Sequence, residues 1–173
     1  MVRPTLIVYC GLPGVGKSAA SAYTTERLQA GRYRSDEVRK QLFPDPEYTA
    51  AETDATYEEL LERARADLEG GSSVVLDATF RTERLRDRAA ALAREVDAET
   101  VFTRVTCDPD VVERRLAERT NSVSDADLRV YRLVKESFEP LERDHVVVDN
   151  SGPLEETRRQ IDRSVLGVVR ERA

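Results

Sequence analysis

The stretch GLPGVGKS, Gly11 to Ser18, decides the fold of this chain. It has the form G-x-x-x-x-G-K-[ST], and three of the chain's eight glycines fall in its first six positions. Glycine lets the backbone take φ > 0 and turn its N–H groups inward. A concave set of donors then wraps phosphates at the positive end of the helix that follows. Lys17 would reach the β- and γ-phosphates of ATP, and Ser18 would ligate Mg2+. Gly11, Leu12, Pro13, Gly14, Val15, Gly16, Lys17 and Ser18 are therefore the candidate nucleotide-binding residues. A plain glycine-rich turn carrying a chance Lys-Ser fits the context less well. The apolar run TLIVYC precedes the motif, and an Ala-rich helical segment follows it.

Working outward, five short β-rich runs stand out: TLIVYC, RYRS, SVVLDAT, TVFTRVTC and HVVVDN. Helical periodicity fills the intervals, over Glu52 to Glu69, Arg81 to Val96 and Leu154 to Arg172. Strands alternating with helices predict an α/β fold, a five-stranded parallel sheet with helices on both faces. SVVLDAT and HVVVDN are apolar enough to be strands covered on both sides. Gly70-Gly71 ends one helix, Asp108-Pro109 starts another, and Ser124 with Asp127 reads as a capping box. Phe43 to Thr53 is the longest candidate loop, of the kind that covers a site or simply connects two elements. No repeat or linker divides residues 1–173, so a single domain is expected.

Three further elements carry chemistry. SVVLDAT delivers Asp77 at the C-terminal end of a strand, where open α/β sheets bind ligands. Asp77 would hold Mg2+ through water, or else cap the next helix. It is followed by Ala78 rather than the second carboxylate that ATP-hydrolysing motors use to activate water. YRSDEVRKQL, Tyr33 to Leu42, places Asp36 and Arg39 on one face of a new helix at a strand's mouth. Beside a bound phosphate, Asp36 would accept the proton of an attacking hydroxyl. Arg39 would grip an anionic group of the acceptor in a forked hydrogen bond. Without that phosphate, Asp36 would only favour a helix N-terminus. Finally, Arg115 and Arg119 share a helix face just before the polar turn TNSVS. Arginines that close over a γ-phosphoryl group stabilise its transfer, so this segment reads as an Arg-bearing lid, with Arg114 turned to solvent.

The remaining candidates are weaker. Arg81, Arg84 and Arg88 form a stripe that would track an oligonucleotide backbone or, interleaved as it is with Glu83 and Asp87, form a solvated face. His145 has no metal-ligand partner at useful spacing. Tyr131 and Phe138 fit a helical core stripe with Leu128 and Val134. Charged residues make up 35% of the chain, and its net charge of −6 argues against a nucleic-acid coat. No run approaches a membrane span of about 20 apolar residues, and the N-terminus shows no signal-peptide pattern. The two cysteines, Cys10 and Cys107, are too few for a disulfide framework. A reducing, cytoplasmic compartment is the expectation.

GLPGVGKS, RSDEVRKQL, VVLDATFRTERLRDRAAALA, VTCDPDVVERRLAERT and SDADLRVY…FEPL occur in an order and at intervals that resemble small P-loop kinases, the predicted AAA-domain kinases. These are similar to polynucleotide 5′-hydroxyl kinases, and more distantly to zeta toxins and chloramphenicol phosphotransferases. The resemblance implies ATP and Mg2+ as cofactors, Lys17, Asp36, Arg39, Arg115 and Arg119 as catalytic residues, and Ser18 and Asp77 as metal ligands. It also implies that the DNSGP segment (Asp149 to Pro153) seats adenine, where the residues alone read equally as an ordinary turn. The strand order of such kinases sets the first and fourth strands side by side, which would bring Cys10 and Cys107 close together, both buried and reduced. Polynucleotide kinases usually show Asn where this chain has Phe80, which points toward a small-molecule hydroxyl acceptor rather than a polynucleotide 5′-OH. A regulatory nucleotide-binding module with no acceptor is the non-enzymatic alternative.

Overall fold

The computed structural model describes residues 2–120 and 125–172, with side chains described for 2–118 and 128–172. Strand β1 (Thr5–Cys10) leads through the glycine-rich loop into α1 (Lys17–Leu28). Then come β2 (Gly31–Arg34), α2 (Ser35–Leu42), α3 (Ala50–Glu69), β3 (Val74–Asp77), α4 (Glu83–Glu95) and β4 (Glu99–Thr106). The chain continues through α5 (Pro109–Thr120), α6 (Asp125–Ser137), β5 (Val146–Asp149) and α7 (Leu154–Gln160). A π-helical turn over Ile161–Val165 follows, and then α8 (Leu166–Arg172).

The five strands form one sheet in the order β2-β3-β1-β4-β5, and every pairing is parallel. Strand β1 is central and buried along its whole length. Its alternate residues feed two cores, because successive side chains of a strand point to opposite faces. Leu6, Val8 and Cys10 pack with Val38 of α2, Leu60 and Leu68 of α3 and Leu92 of α4. Ile7 and Tyr9 pack with Ala20 of α1, Val112 of α5, Tyr131 of α6 and Ile161, Val165 and Val169 near the C-terminus. Helices therefore cover both faces, as the alternating pattern predicts. The π-helical turn keeps Ile161, Val165, Leu166 and Val169 all buried, at a step in the last helix that periodicity does not reveal.

Several expectations are corrected. Strand β3 is wholly buried, but β5 pairs only with β4, and Val147 is 50% exposed. An apolar run at a sheet edge reads the same as a central strand. Helix α3 starts at Ala50, where the Thr49 hydroxyl caps the Glu52 N–H, so the long loop shrinks to residues 43–49. Helix α4 is capped by Thr82, which removes capping as a role for Asp77. Strands β1 and β4 are neighbours, as expected, with Cys10 opposite Arg104. Yet the cysteines serve different layers: Cys10 is buried in the first core, while Cys107 lies beyond the end of β4, half-exposed and against the second. Both thiols are free. The capping box at Ser124 lies outside the described residues.

Candidate active site

The loop between β1 and α1 is built for close approach. Gly16, the N-cap of α1, has φ 95°, and no side chain caps the helix. A Cβ at Gly16 would meet Asn150 Nδ2 at 1.9 Å, so no larger residue fits. The first N–H groups of α1 have no intrahelical acceptors, and they sit at the positive end of the helix dipole. Open donors, positive potential and no competing side chain suit the loop to a phosphate. Pro13, Gly14, Gly16, Lys17 and Ser18 line a cavity of about 330 Å3 at the C-terminal edge of the sheet. Gly11, Leu12 and Val15 do not line it. They seat the loop from behind: Gly11 N–H donates to the Thr79 carbonyl at 3.2 Å, and Val15 is buried in the second core. Lys17 Nζ donates to the Leu12 carbonyl at 2.9 Å. Burial pulls the Lys17 ammonium pKa down, while the carboxylates of Asp77 and Asp36 push it back up.

The opposite wall of the cavity comes from β2, α2 and β3. Asp77, at the end of β3, is nearly buried. Its Oδ2 accepts from Ser21 Oγ at 2.8 Å and faces Arg32 at 3.6 Å and Arg34 at 3.5 Å. Among the described residues every such contact falls on Oδ2, which leaves Oδ1 for a water of a metal's shell. Ser18 lines the same cavity, so Ser18 and Asp77 fit the expected metal pair. Arg32 also ties β2 to α1, donating to the Ser18 carbonyl at 2.7 Å and to Ser21 Oγ at 3.1 Å.

Ser35 and Asp36, at the start of α2, line the cavity beside Lys17, where Asp36 is expected. Arg39 does not line it. Its guanidinium pairs with Glu52 at 3.5 Å, donates to Thr53 Oγ1 at 3.0 Å and lies over the Tyr48 ring at 5.0 Å. Glu52 also accepts from the backbone N–H groups of Glu47 and Tyr48, and these bonds together with Arg39 hold its carboxyl below the usual range. Arg39 thus braces the loop 43–49.

Helices α5 and α6 lie over the loop. A Cβ at Gly14 would touch Val112 Cγ1 at 3.1 Å, and Leu116 and Val130 form the apolar side of the cavity. Arg115 lines a second cavity on the other side of the loop, with Ala19, Asn150 and Leu154. It donates to the Gly152 carbonyl at 3.2 Å and approaches Cys107 Sγ at 3.5 Å. The side chain of Arg119 and residues 121–124 lie outside the described residues. Arg114 is exposed, as expected.

Residues 6–141 match the profile of the AAA_33 family, an AAA domain. The chain belongs to this family. Among curated proteins, this AAA domain is 29% identical over 157 residues to the uncharacterized protein Rv2004c of Mycobacterium tuberculosis (strain ATCC 25618 / H37Rv). The uncharacterized protein Mb2027c of Mycobacterium bovis matches equally. The alignment takes in 84% of this chain and 31% of each relative, so the chain spans about a third of their length. Among solved structures, a gluconokinase from Sinorhizobium meliloti 1021 superposes with a TM-score of 0.77 at 21% identity, covering 99% of this chain and 97% of that one. The Mycobacterium tuberculosis APS kinase CysC, in complex with AMPPNP and APS, gives a TM-score of 0.76 at 15% identity over 94% and 98%. At such identities the likeness is one of fold, the P-loop kinase fold.

The AAA domain also holds residues that pattern alone passes over. Asn150 bridges to the phosphate-binding loop: its Nδ2 donates to the Val15 carbonyl at 2.9 Å, and its Oδ1 accepts from Thr157 Oγ1 at 2.6 Å. The DNSGP turn is therefore a brace for the loop. Arg32 and Arg34 are hidden in a short strand. Arg86 is wholly buried, fastened by the carbonyls of Phe80 and Glu139 and by Glu83. Phe80 is core, edge-to-face with Tyr57 at a 5.2 Å centroid distance. In the stripe, Arg84 and Arg88 both face Asp54 of α3. His145 Nδ1 bonds the Arg143 carbonyl, a structural role. Among the described residues no helix is long and apolar enough to cross a membrane, and no acidic, His or Cys cluster forms a metal cage.

Proposed function

We propose that this AAA domain is an ATP-dependent kinase, acting in a reducing cytoplasm on the hydroxyl group of a small-molecule acceptor. One observation carries the reading: Lys17, Ser18, Asp36 and Asp77 all line one cavity, although they come from three separate segments of the chain. The loop donors and Lys17 would hold the triphosphate. Bound by Ser18 and by Asp77 through water, Mg2+ would neutralise charge on the phosphate oxygens. Asp36 takes the acceptor's hydroxyl proton as that oxygen bonds to the γ-phosphorus. The bond to the bridging oxygen breaks, and ADP leaves with the electron pair. Arg119 on α5, and Arg115 one turn before it once it leaves the Gly152 carbonyl, would supply positive charge as the transition state develops.

Three features support a small acceptor. The cavity encloses about 330 Å3 between α2 and the apolar wall of Leu116 and Val130. The chain carries a net charge of −6. Phe80 is spent in the core. A regulatory module would need no carboxylate at position 36. The test is a screen of hydroxyl-bearing metabolites and 5′-OH oligonucleotides with γ-labelled ATP, run on wild type and Asp36→Asn. Labelled product from a small acceptor is expected, with D36N keeping ATP affinity and losing about 100-fold or more in turnover, the scale of a general base. A fall of less than about threefold would reduce Asp36 to a helix-terminus charge.

A further inference from the structure

Strand β2 carries arginines at alternate positions, Arg32 and Arg34, so both side chains leave the same face of the sheet. Their circumstances differ. Arg32, the inner one, is satisfied by the Ser18 carbonyl, Ser21 Oγ and Asp77. Arg34 stands at the mouth of the strand and lines the cavity beside Ser35 and Asp36. Its Nε is buried with no hydrogen-bond partner, 3.5 Å from Asp77 Oδ2. One terminal nitrogen reaches the exposed Glu37 at 3.3 Å. Among the described residues no other contact engages the guanidinium, which has five donors in a planar fork. A buried donor without an acceptor is costly, so such groups in folded proteins call for an explanation.

Arg39, the residue that spacing singles out as the acceptor's grip, is committed to Glu52 and Thr53 and does not line the cavity. Among the described residues, that leaves Arg34 as the arginine facing the acceptor side with donors to spare. Among the described residues lining the cavity Lys17 is the other cation, and it belongs to the triphosphate. We propose that the acceptor carries an oxyanion, a carboxylate or phosphate group set near the reacting hydroxyl, and that Arg34 binds it in a forked hydrogen bond. The proposal rests on the kinase reading of the same cavity. It makes Arg34 the residue that sets substrate class. The Arg34 fork holds the oxyanion while Asp36, two residues on, meets the hydroxyl. Small acidic polyols fit this pair, one end read by charge and the other by the base.

The experiment separates this inference from the reading beneath it. The protein is loaded with Mg2+ and the β,γ-imido analogue of ATP, which fills the phosphate loop, and is then titrated with inorganic sulfate by calorimetry. Saturable sulfate binding is expected, weakened about 10-fold or more in Arg34→Met, the scale of charge-assisted hydrogen bonds, and partly restored in Arg34→Lys. Arg39→Met should change it by less than about twofold, since that guanidinium is engaged elsewhere. Thermal melts establish that each variant is folded, and Glu37→Gln, which frees Arg34 without touching it, should tighten sulfate binding. If the analogue binds and sulfate does not saturate, or R34M matches wild type, the inference falls while the kinase reading stands. Failure of the analogue to bind overturns both. In a transfer assay, carboxylated and phosphorylated polyols are each compared with their uncharged parent. An advantage in kcat/KM of about 10-fold, lost in R34M, is expected, and the better of the two series names the oxyanion. Equal use of the uncharged parents refutes the proposal. So does preference for a 5′-OH oligonucleotide over every small acceptor.

Discussion

Removing the Asn150 side chain should loosen the phosphate-binding loop from the far end of the chain. Asn150 is nearly buried and joins two groups that otherwise lack each other: the Val15 carbonyl at 2.9 Å and the Thr157 hydroxyl at 2.6 Å. In Asn150→Ala both partners lose that bond in a buried setting. Each such loss costs about 1–3 kcal/mol, and water reaching the loop carbonyl trims the sum, so a net loss of about 2–4 kcal/mol is expected. For a chain of this size that lowers Tm by roughly 5–15 °C. Asn150 Nδ2 also occupies the space that a Cβ on Gly16 would take, so the truncation frees the loop to move. Affinity for a non-hydrolysable ATP analogue should fall with stability. Urea melts and calorimetry measure the two effects. A double-mutant cycle with Thr157→Val isolates one arm. Thr157 then has no hydroxyl to leave stranded, and the double variant should lose about 1 kcal/mol less than the sum of the singles. A loss below about 0.5 kcal/mol, the scatter of ordinary surface substitutions, with unchanged nucleotide affinity would refute the brace.

Two further outcomes are expected. Lys17→Ala should weaken binding of the ATP analogue by about 10-fold or more, the scale of charge-assisted bonds to phosphate, and abolish transfer; unchanged affinity in a folded variant with full activity would dismiss the phosphate loop. Glu52, held below its ordinary value of 4.5 by the N–H groups of Glu47 and Tyr48 and by Arg39, contributes stability that is complete above that value and lost as pH falls through the lower folded one. The stability difference between wild type and Glu52→Gln should therefore be constant from about pH 6 to 8 and shrink in acid, as followed by urea melts across pH; a difference that grows in acid would show that the carboxylate is not the stabilising form.

Much of the fold is legible in the chain because its signals are local. An apolar run of β-formers followed by G-x-x-x-x-G-K-S places a strand, a turn and a helix end within a few residues, and alternation then predicts the parallel sheet. Asp36 and Asp77 could be placed at the same edge for the same reason: Asp77 ends a recognisable strand, Asp36 follows just beyond another, and the C-terminal ends of parallel strands share one side. Local pattern misjudged β5, because three valines in a row describe an apolar strand without saying whether a second neighbour pairs with it. It also passed over Asn150, whose partner Val15 lies 135 positions away.

The arginines mark the boundary most clearly. Their number and helical spacing are sequence facts, and spacing puts Arg39 one turn from Asp36. What each guanidinium does depends on which carboxylate the fold brings within about 4 Å, since an ion pair is set by distance and burial rather than by order along the chain. Glu52 reaches Arg39 because α2 and α3 pack side by side. Asp54 draws Arg84 and Arg88 for the same kind of reason, and carbonyls from two loops close around Arg86. Arg34 is left facing the cavity. The chemistry of phosphate binding is local to eight residues and could be read from them directly. The proposed acceptor pair, Arg34 and Asp36, lies two positions apart, but which arginine is left facing the cavity is decided only once the sheet and its helices have closed.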